Sequence, residues 1–204
     1  MPTSTRFKPL TLTTLSAYTG YSKPYFFSPN PVKVSSSAME VMTDLRFVPA
    51  ATIQAEVDIE TATQKMIARS VRLLLVVDSA DDVIGILTAR DLMGKRPLEV
   101  MDSLQLGVSE VKVLQVMTVA ADIEVIPLSD ILHARVGDIV ETLKNSGRQH
   151  AMVVEVDVFS EKAMIRGIFS ASQIARQLGI GVPVNDLSQT FSEIERAIAE
   201  QALN

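Results

Sequence analysis

Gly85-Ile86-Leu87-Thr88-Ala89-Arg90-Asp91 is the stretch whose reading decides the fold. It follows an apolar run, Leu73-Leu74-Leu75-Val76-Val77, and a polar turn, Asp78-Ser79-Ala80-Asp81-Asp82. The pattern predicts a strand, a turn, a second strand and a helix opening near Thr88. At such a helix start the free backbone N–H groups and the helix dipole favour an anion. Thr88 adds a hydroxyl donor, and Asp91 a carboxylate able to accept two hydroxyl hydrogen bonds, as from a ribose. In an isolated case the same two residue types serve as a helix cap and a first-turn charge.

The chain repeats the stretch. Gly167-Ile168-Phe169-Ser170-Ala171-Ser172-Gln173 lies 82 residues after Gly85 and follows another apolar run, Ala151-Met152-Val153-Val154. Val41-Met42-Thr43 matches Val116-Met117-Thr118 at an offset of 75, and Ser70-Val71-Arg72 aligns with Gly147-Arg148-Gln149 at 77. The offset grows because the second hairpin turn, from Asp157 to Ala163, is longer, and turns are where a repeat tolerates insertion.

Working outward, residues 1–37 read as an extended arm. They are rich in Ser, Thr and Pro and hold all three tyrosines, Tyr18, Tyr21 and Tyr25, beside Phe26 and Phe27. Neither a strand nor a helix period persists there. Two readings stand: aromatics that dock on this chain or on a second subunit, and a mostly mobile tail. The first repeat spans 38–94. It has a short strand at Ala51-Thr52-Ile53, a helix capped by Asp58 with Ile59, Ala62, Met66 and Ile67 on one face, the two hairpin strands and a closing helix. The continuous apolar run of its central strand predicts burial on both faces. Residues 95–112 form a linker in which Pro97 is expected to bar a continuous helix, leaving a short amphipathic turn at Leu98, Val100 and Met101. The second repeat spans 113–181. Strand residues are expected between Ile123 and Leu132, followed by a helix with Val136, Ile139, Val140 and Leu143 inward, a hairpin, and a helix ended by Gly179 and Gly181. Residues 182–204 carry an amphipathic helix, Ser188 to Leu203, with a Ser192/Glu195 capping box and a Phe191, Ile194, Ile198 stripe, expected to pack on its own domain, the competing reading being a dimer or partner contact.

The 204 residues suffice for one sizeable domain or two small ones sharing a core. Hydrophobic residues make up 47% and charged residues 21%, a globular balance. The absence of cysteine excludes disulfides, thiolate metal sites and a cysteine nucleophile. Only two histidines, His133 and His150, are present, too few for a histidine metal site; His133 reads as a loop or partly buried residue. Asp81-Asp82 reads as solvated turn carboxylates rather than a metal pair. A net charge of −5 argues against broad nucleic-acid binding. No apolar run approaches the roughly 18 residues of a membrane span and no signal core opens the chain, so a cytoplasmic protein is expected.

On these motifs each repeat resembles a CBS domain, and the tandem resembles a Bateman module, over about residues 39 to 180. The resemblance implies an α/β (α+β) fold of two β-α-β-β-α repeats related by pseudo-twofold symmetry, with two clefts between them. In this family the clefts often hold AMP, ADP or ATP, and sometimes S-adenosylmethionine or NAD. Carried over, Thr88 and Asp91 fall on hydroxyl- and ribose-binding positions, Ala51, Thr52 and Ile53 on the base-lining strand, and Arg72 on a phosphate position. The corresponding second site is Asp130, Ile131 and Leu132 on the base strand, Gln149 and His150 in place of Arg72-Leu73, Ser170, and Gln173 in place of the aspartate. His150 fits either a structural hydrogen bond or a phosphate contact. Gln173 lacks charge assistance, which predicts a better site around Asp91 and a weaker one around Gln173. Leu75 and Met152 stand where prolines often precede the hairpin strand, a packing difference.

The function expected is a stand-alone regulatory module that binds an adenine nucleotide between the repeats and signals through a homodimer or a separate protein partner. The competing reading is a ligand-free interaction scaffold. No nucleophile–base–orienter set, metal cluster or phosphate-cradling glycine loop is found, so no enzyme and no catalytic cofactor is expected.

Overall fold

The computed structural model describes residues 32–157, 162–180, 192–194 and 196. A 3-10 turn, Ala38–Val41, leads into β1 (Thr43–Asp44), β2 (Thr52–Gln54), α1 (Ile59–Arg69), β3 (Leu73–Val77), β4 (Val83–Thr88), α2 (Ala89–Met93) and α3 (Arg96–Leu104). The second half runs α4 (Val113–Val116), β5 (Thr118–Val119), β6 (Val125–Pro127), α5 (Leu128–Ile131), α6 (Val136–Ser146), β7 (His150–Val156), β8 (Ala163–Ser170) and α7 (Ala171–Gln177). Each half thus carries the β-α-β-β-α order its sequence predicts.

The strands form two four-stranded sheets in the orders β1-β8-β7-β6 and β2-β3-β4-β5. Each half therefore lends one short strand to the other half's sheet. β1 pairs antiparallel with β8, Thr43 opposite Ile168, and β5 pairs antiparallel with β4, Thr118 opposite Ile86. The repeated glycines permit these crossings. A Cβ at Gly85 would meet the Thr118 carbonyl oxygen at 2.5 Å, and a Cβ at Gly167 would run into the Met42 side chain. The repeated Val-Met-Thr motif and the repeated glycine are thus two sides of one contact.

Three apolar clusters hold the halves. Leu74, Val76 and Leu87 face α1 in one, and Val153 and Phe169 face α6 and α7 in another. The third lies between the sheets, where Leu73, Leu75 and Ile86 meet Met152. β3 is therefore buried on both faces, as its unbroken apolar run predicts. Leu75 and Met152 sit together at this inter-sheet centre.

Local chemistry sets the helix starts. Asp58 caps α1, accepting from the Thr61 N–H at 2.7 Å and its hydroxyl at 2.9 Å. These hydrogen bonds hold its carboxyl below the usual range. Val136, Ile139, Val140 and Leu143 are all buried on α6.

Three local expectations are corrected. Asp130, Ile131 and Leu132 are not a strand: α5 ends at Ile131, and the strand paired with β7 is Val125–Pro127. Proline has no N–H for a ladder but its fixed φ suits the start of a helix, so strand gives way to helix at Pro127. No helix runs straight through Pro97, since α2 ends at Met93, but the short turn expected at Leu98, Val100 and Met101 is a nine-residue helix, α3, with Pro97 in its first turn, where its missing N–H costs nothing. Ile67 is 67% exposed and so does not share the buried face of Ile59, Ala62 and Met66.

The arm expected over 1–37 lies outside the described residues up to 31. Its last residues run beside the second half, where the Val136 N–H donates to the Ser36 carbonyl and Gly137 N–H to that of Val34. Most of the expected Ser188 to Leu203 helix also lies outside them; residues 192–194 and 196 are helical, and Ile194 is fully buried in the second-half core.

Candidate functional site

The strand exchange creates the site. Because β1 belongs to the first half by sequence and to the second half's sheet by pairing, Thr43 is delivered beside α7. Its hydroxyl donates to Gln173 Oε1 at 3.1 Å across 130 residues of sequence. Around this bond opens a cavity of about 330 Å³. One wall comes from the chain after β1, with Leu45, Val48, Pro49, Ala50 and Ala51; a second from the end of α1 and the turn into β3, Arg69 to Leu73. The third comes from Gln149 and His150 at the start of β7, and the fourth from Ile168 on β8 with Ser170 to Gln173 and Arg176 at the start of α7. The volume lies at the small end of the range for ligand clefts.

The lining divides by chemistry. Apolar side chains form the β1 side, while Thr43, Ser170, Ser172 and Gln173 supply hydroxyl and amide groups. The Ser170 and Ser172 hydroxyls lie 3.1 Å apart and share a hydrogen bond. Arg69, Arg72 and Arg176 add three positive charges, and no aspartate or glutamate lines the cavity. Burial, reinforced by the neighbouring Arg72 charge, pushes the His150 imidazole down to about 4, so at neutral pH it is an uncharged donor and acceptor.

The cavity mixes the two sets of residues that the sequence kept apart. Ala51 and Arg72 come from the first set, and Gln149, His150, Ser170 and Gln173 from the second. Thr52 does not line it, and Ile53 is buried in the first-half core. Asp130 lies on α5, Ile131 is buried in the second-half core, and Leu132 is exposed, so none of the three reaches the cavity. Thr88 and Asp91 do not line it either. Their side chains are turned on each other: the Thr88 N–H and hydroxyl donate to Asp91 Oδ2 at 2.8 and 2.7 Å, and the Asp91 N–H donates back to Thr88 Oγ1 at 3.3 Å. This is a reciprocal cap on α2.

Thr43, Arg69, Ser70 and Arg176 are lining residues that the sequence reading did not single out as site residues. Thr43 carried a signal, since it ends a repeated motif; Arg176 carried none, being one of several charges on a helix face. Among the described residues no cluster of three or more His, Asp or Glu side chains is placed to hold a metal ion. Asp82 of the Asp81-Asp82 turn is ion-paired with Lys162. No helix among the described residues is long and apolar enough to cross a membrane.

A family model described as CBS domain matches residues 29–97. No curated protein matches the chain. Among solved structures, an uncharacterised conserved protein from Pyrococcus horikoshii is similar at 16% identity and a TM-score of 0.53, over 75% of this chain and 99% of that one. The CBS-domain containing protein ATU1752 from Agrobacterium tumefaciens is similar at 17% identity and 0.51, over 76% of this chain and 98% of its own. CBSX2, solved in complex with AMP, is similar at 16% identity and 0.50, over 69% of this chain and 94% of its own.

Proposed function

We propose that this chain, a tandem CBS-domain protein, is a regulatory module that binds an adenine nucleotide in the cavity between its two halves. The observation that carries the reading is the lining: an apolar wall for a base, hydroxyl and amide groups for a sugar, and arginines without carboxylates for phosphate. The AMP complex of the structurally similar CBSX2 supports the ligand class. We take 38–94 and 113–181 as the two repeats, joined by the 95–112 linker.

Regulation follows from the placement of the cavity. Its walls come from both halves, so a ligand there favours whichever packing of the halves binds it more tightly. The output we propose is a contact made by a homodimer or with a separate protein partner, in the cytoplasm, with no chemistry performed by the module itself. Asp91, capping its own helix through Oδ2, does not line this cavity.

The test is a thermal-shift and calorimetric screen with AMP, ADP, ATP, NAD and S-adenosylmethionine on the wild type, Gln173→Ala and Asp91→Ala. A nucleotide at ~100 times its dissociation constant should stabilise the fold by about 2.7 kcal/mol. The expected result is a shift that Gln173→Ala reduces and Asp91→Ala leaves in place. A wild type unmoved by all five at millimolar concentration overturns the reading in favour of a ligand-free scaffold. Sedimentation with and without nucleotide checks the dimer.

A further inference from the structure

We propose that the cavity selects its ligand by phosphate number and takes a nucleoside di- or triphosphate in preference to a monophosphate, with Arg69 and Arg176 as the specificity-determining residues at its rim. The inference deepens the nucleotide reading and rests on it for the base and sugar.

In the chain as a whole, acids outnumber bases, 24 to 19. The cavity inverts that balance, with three arginines and no acid in its lining. None of the three arginines has an ion pair or side-chain hydrogen bond among the described residues. This is unlike Arg46, Arg148 and Arg166, each of which meets a carboxylate. Three like charges lining one cavity repel each other until an anion enters. A nucleoside monophosphate brings roughly two negative charges and leaves the cavity positive, whereas a second or third phosphate completes the neutralisation.

Position fits the same ligand. Arg72 is half-buried in the wall, while Arg69 and Arg176 are exposed. A base against the apolar wall would therefore point its first phosphate at Arg72 and the following ones outward between Arg69 and Arg176. Arg69 ends α1 in the first half and Arg176 stands on α7 in the second. A polyphosphate tail would bridge the two halves by paired guanidinium contacts, each able to be bidentate. A cationic adenosyl compound would meet three charges of its own sign.

The experiment is calorimetric titration of the full chain with adenosine, AMP, ADP, ATP and inorganic tripolyphosphate at fixed ionic strength without magnesium. It is repeated at higher salt and on Arg69→Gln and Arg176→Gln, both exposed and so without a core to disturb. The expected result is ADP or ATP binding at least tenfold more tightly than AMP. Each Gln variant should remove most of that advantage while leaving AMP affinity within about twofold, and added salt should weaken ATP more than AMP. Equal affinity for AMP and ATP, or an ATP advantage that survives both variants, overturns phosphate selection while the nucleotide reading stands. Tripolyphosphate binding that needs the two arginines, with no difference between the nucleotides and tripolyphosphate alone, overturns the nucleotide reading and keeps the polyanion site. No binding by any of the five overturns both.

Discussion

Gln173 and Asp91 occupy corresponding places in the two halves, three residues into the same repeated turn, and do opposite things. Gln173 reaches across to Thr43 of the other half and helps line an open, arginine-rich cavity. Asp91 folds back on Thr88 and closes its own helix start. Ser170, by contrast, makes no side-chain cap on α7, and its hydroxyl shares a hydrogen bond with that of Ser172. The surroundings follow suit. Arg148, next to the position matching Arg72, donates to the Asp122 carbonyl at 3.4 Å and lies 3.5 Å from Glu124, so its charge is already answered. The lesson is that a carboxylate at a helix start has a local partner always within reach, whereas an amide there gains little from capping and is available for a distant one.

The two strand crossings differ as well. The β1·β8 crossing, beside the cavity, is tied by Asp44 and the buried Arg166, whose Nε also lies 3.3 Å from Glu155. At the β4·β5 crossing the matching residues are Val119 and Ile84. Asp44→Ala should therefore produce the largest effect, a loss of about 3 kcal/mol or more, because it leaves Arg166 buried with half its pairing. Val119→Ala, at an exposed position, should cost well under 1 kcal/mol. Urea denaturation of the two variants measures both, and equal losses would remove the distinction between the crossings.

Next in size is the helix cap. Thr88→Ala should destabilise by about 1 kcal/mol, and Ser170→Ala, which removes no cap, by only a few tenths. If nucleotide affinity is compared on the same pair, the order should reverse, with Ser170→Ala the more damaging.

The last comparison is one of pH. Burial raises the Asp44 carboxyl, but the Arg166 hydrogen bond and charge and the Arg46 N–H outweigh it, leaving it below the usual range. Its contribution is present above the unfolded carboxylate range and is lost as pH falls through the lowered value. His150 acts in a different window. Its folded value of about 4 lies below the ordinary 6.5, so the unfolded chain binds the extra proton and stability falls as pH drops from 6.5 toward 4. His150→Leu, copying Leu73 at the matching place, should flatten that part of the stability curve and leave the steeper loss at lower pH. A curve unchanged between 6.5 and 4 would show that His150 is not the group responsible.

Much of this was readable before any coordinates. The repeat, the both-faces burial of Leu73 to Val77, the Asp58 cap and the inward face of α6 all follow from local pattern. What local pattern does not carry depends on pairing between distant strands. The short apolar pair Ile131-Leu132 fits either strand or helix, and pairing with β7 decides for Val125–Pro127 as the strand. The site residues were assigned repeat by repeat, which kept Ala51 and Arg72 with Asp91. Exchange of β1 and β5 redistributes them and puts Thr43, Ala51 and Arg72 with Gln173 instead.

The sequence by itself determined that two copies of a small α/β unit would form, because periodicity, caps and turn residues act over a few positions. Only the tertiary structure decided which residues face one cavity. Thr43 and Gln173 are 130 positions apart, and what joins them is a strand lent across the two halves, over a glycine whose missing side chain leaves room for Met42. Nothing in the local chemistry of either residue selects the other; the packing of whole sheets does.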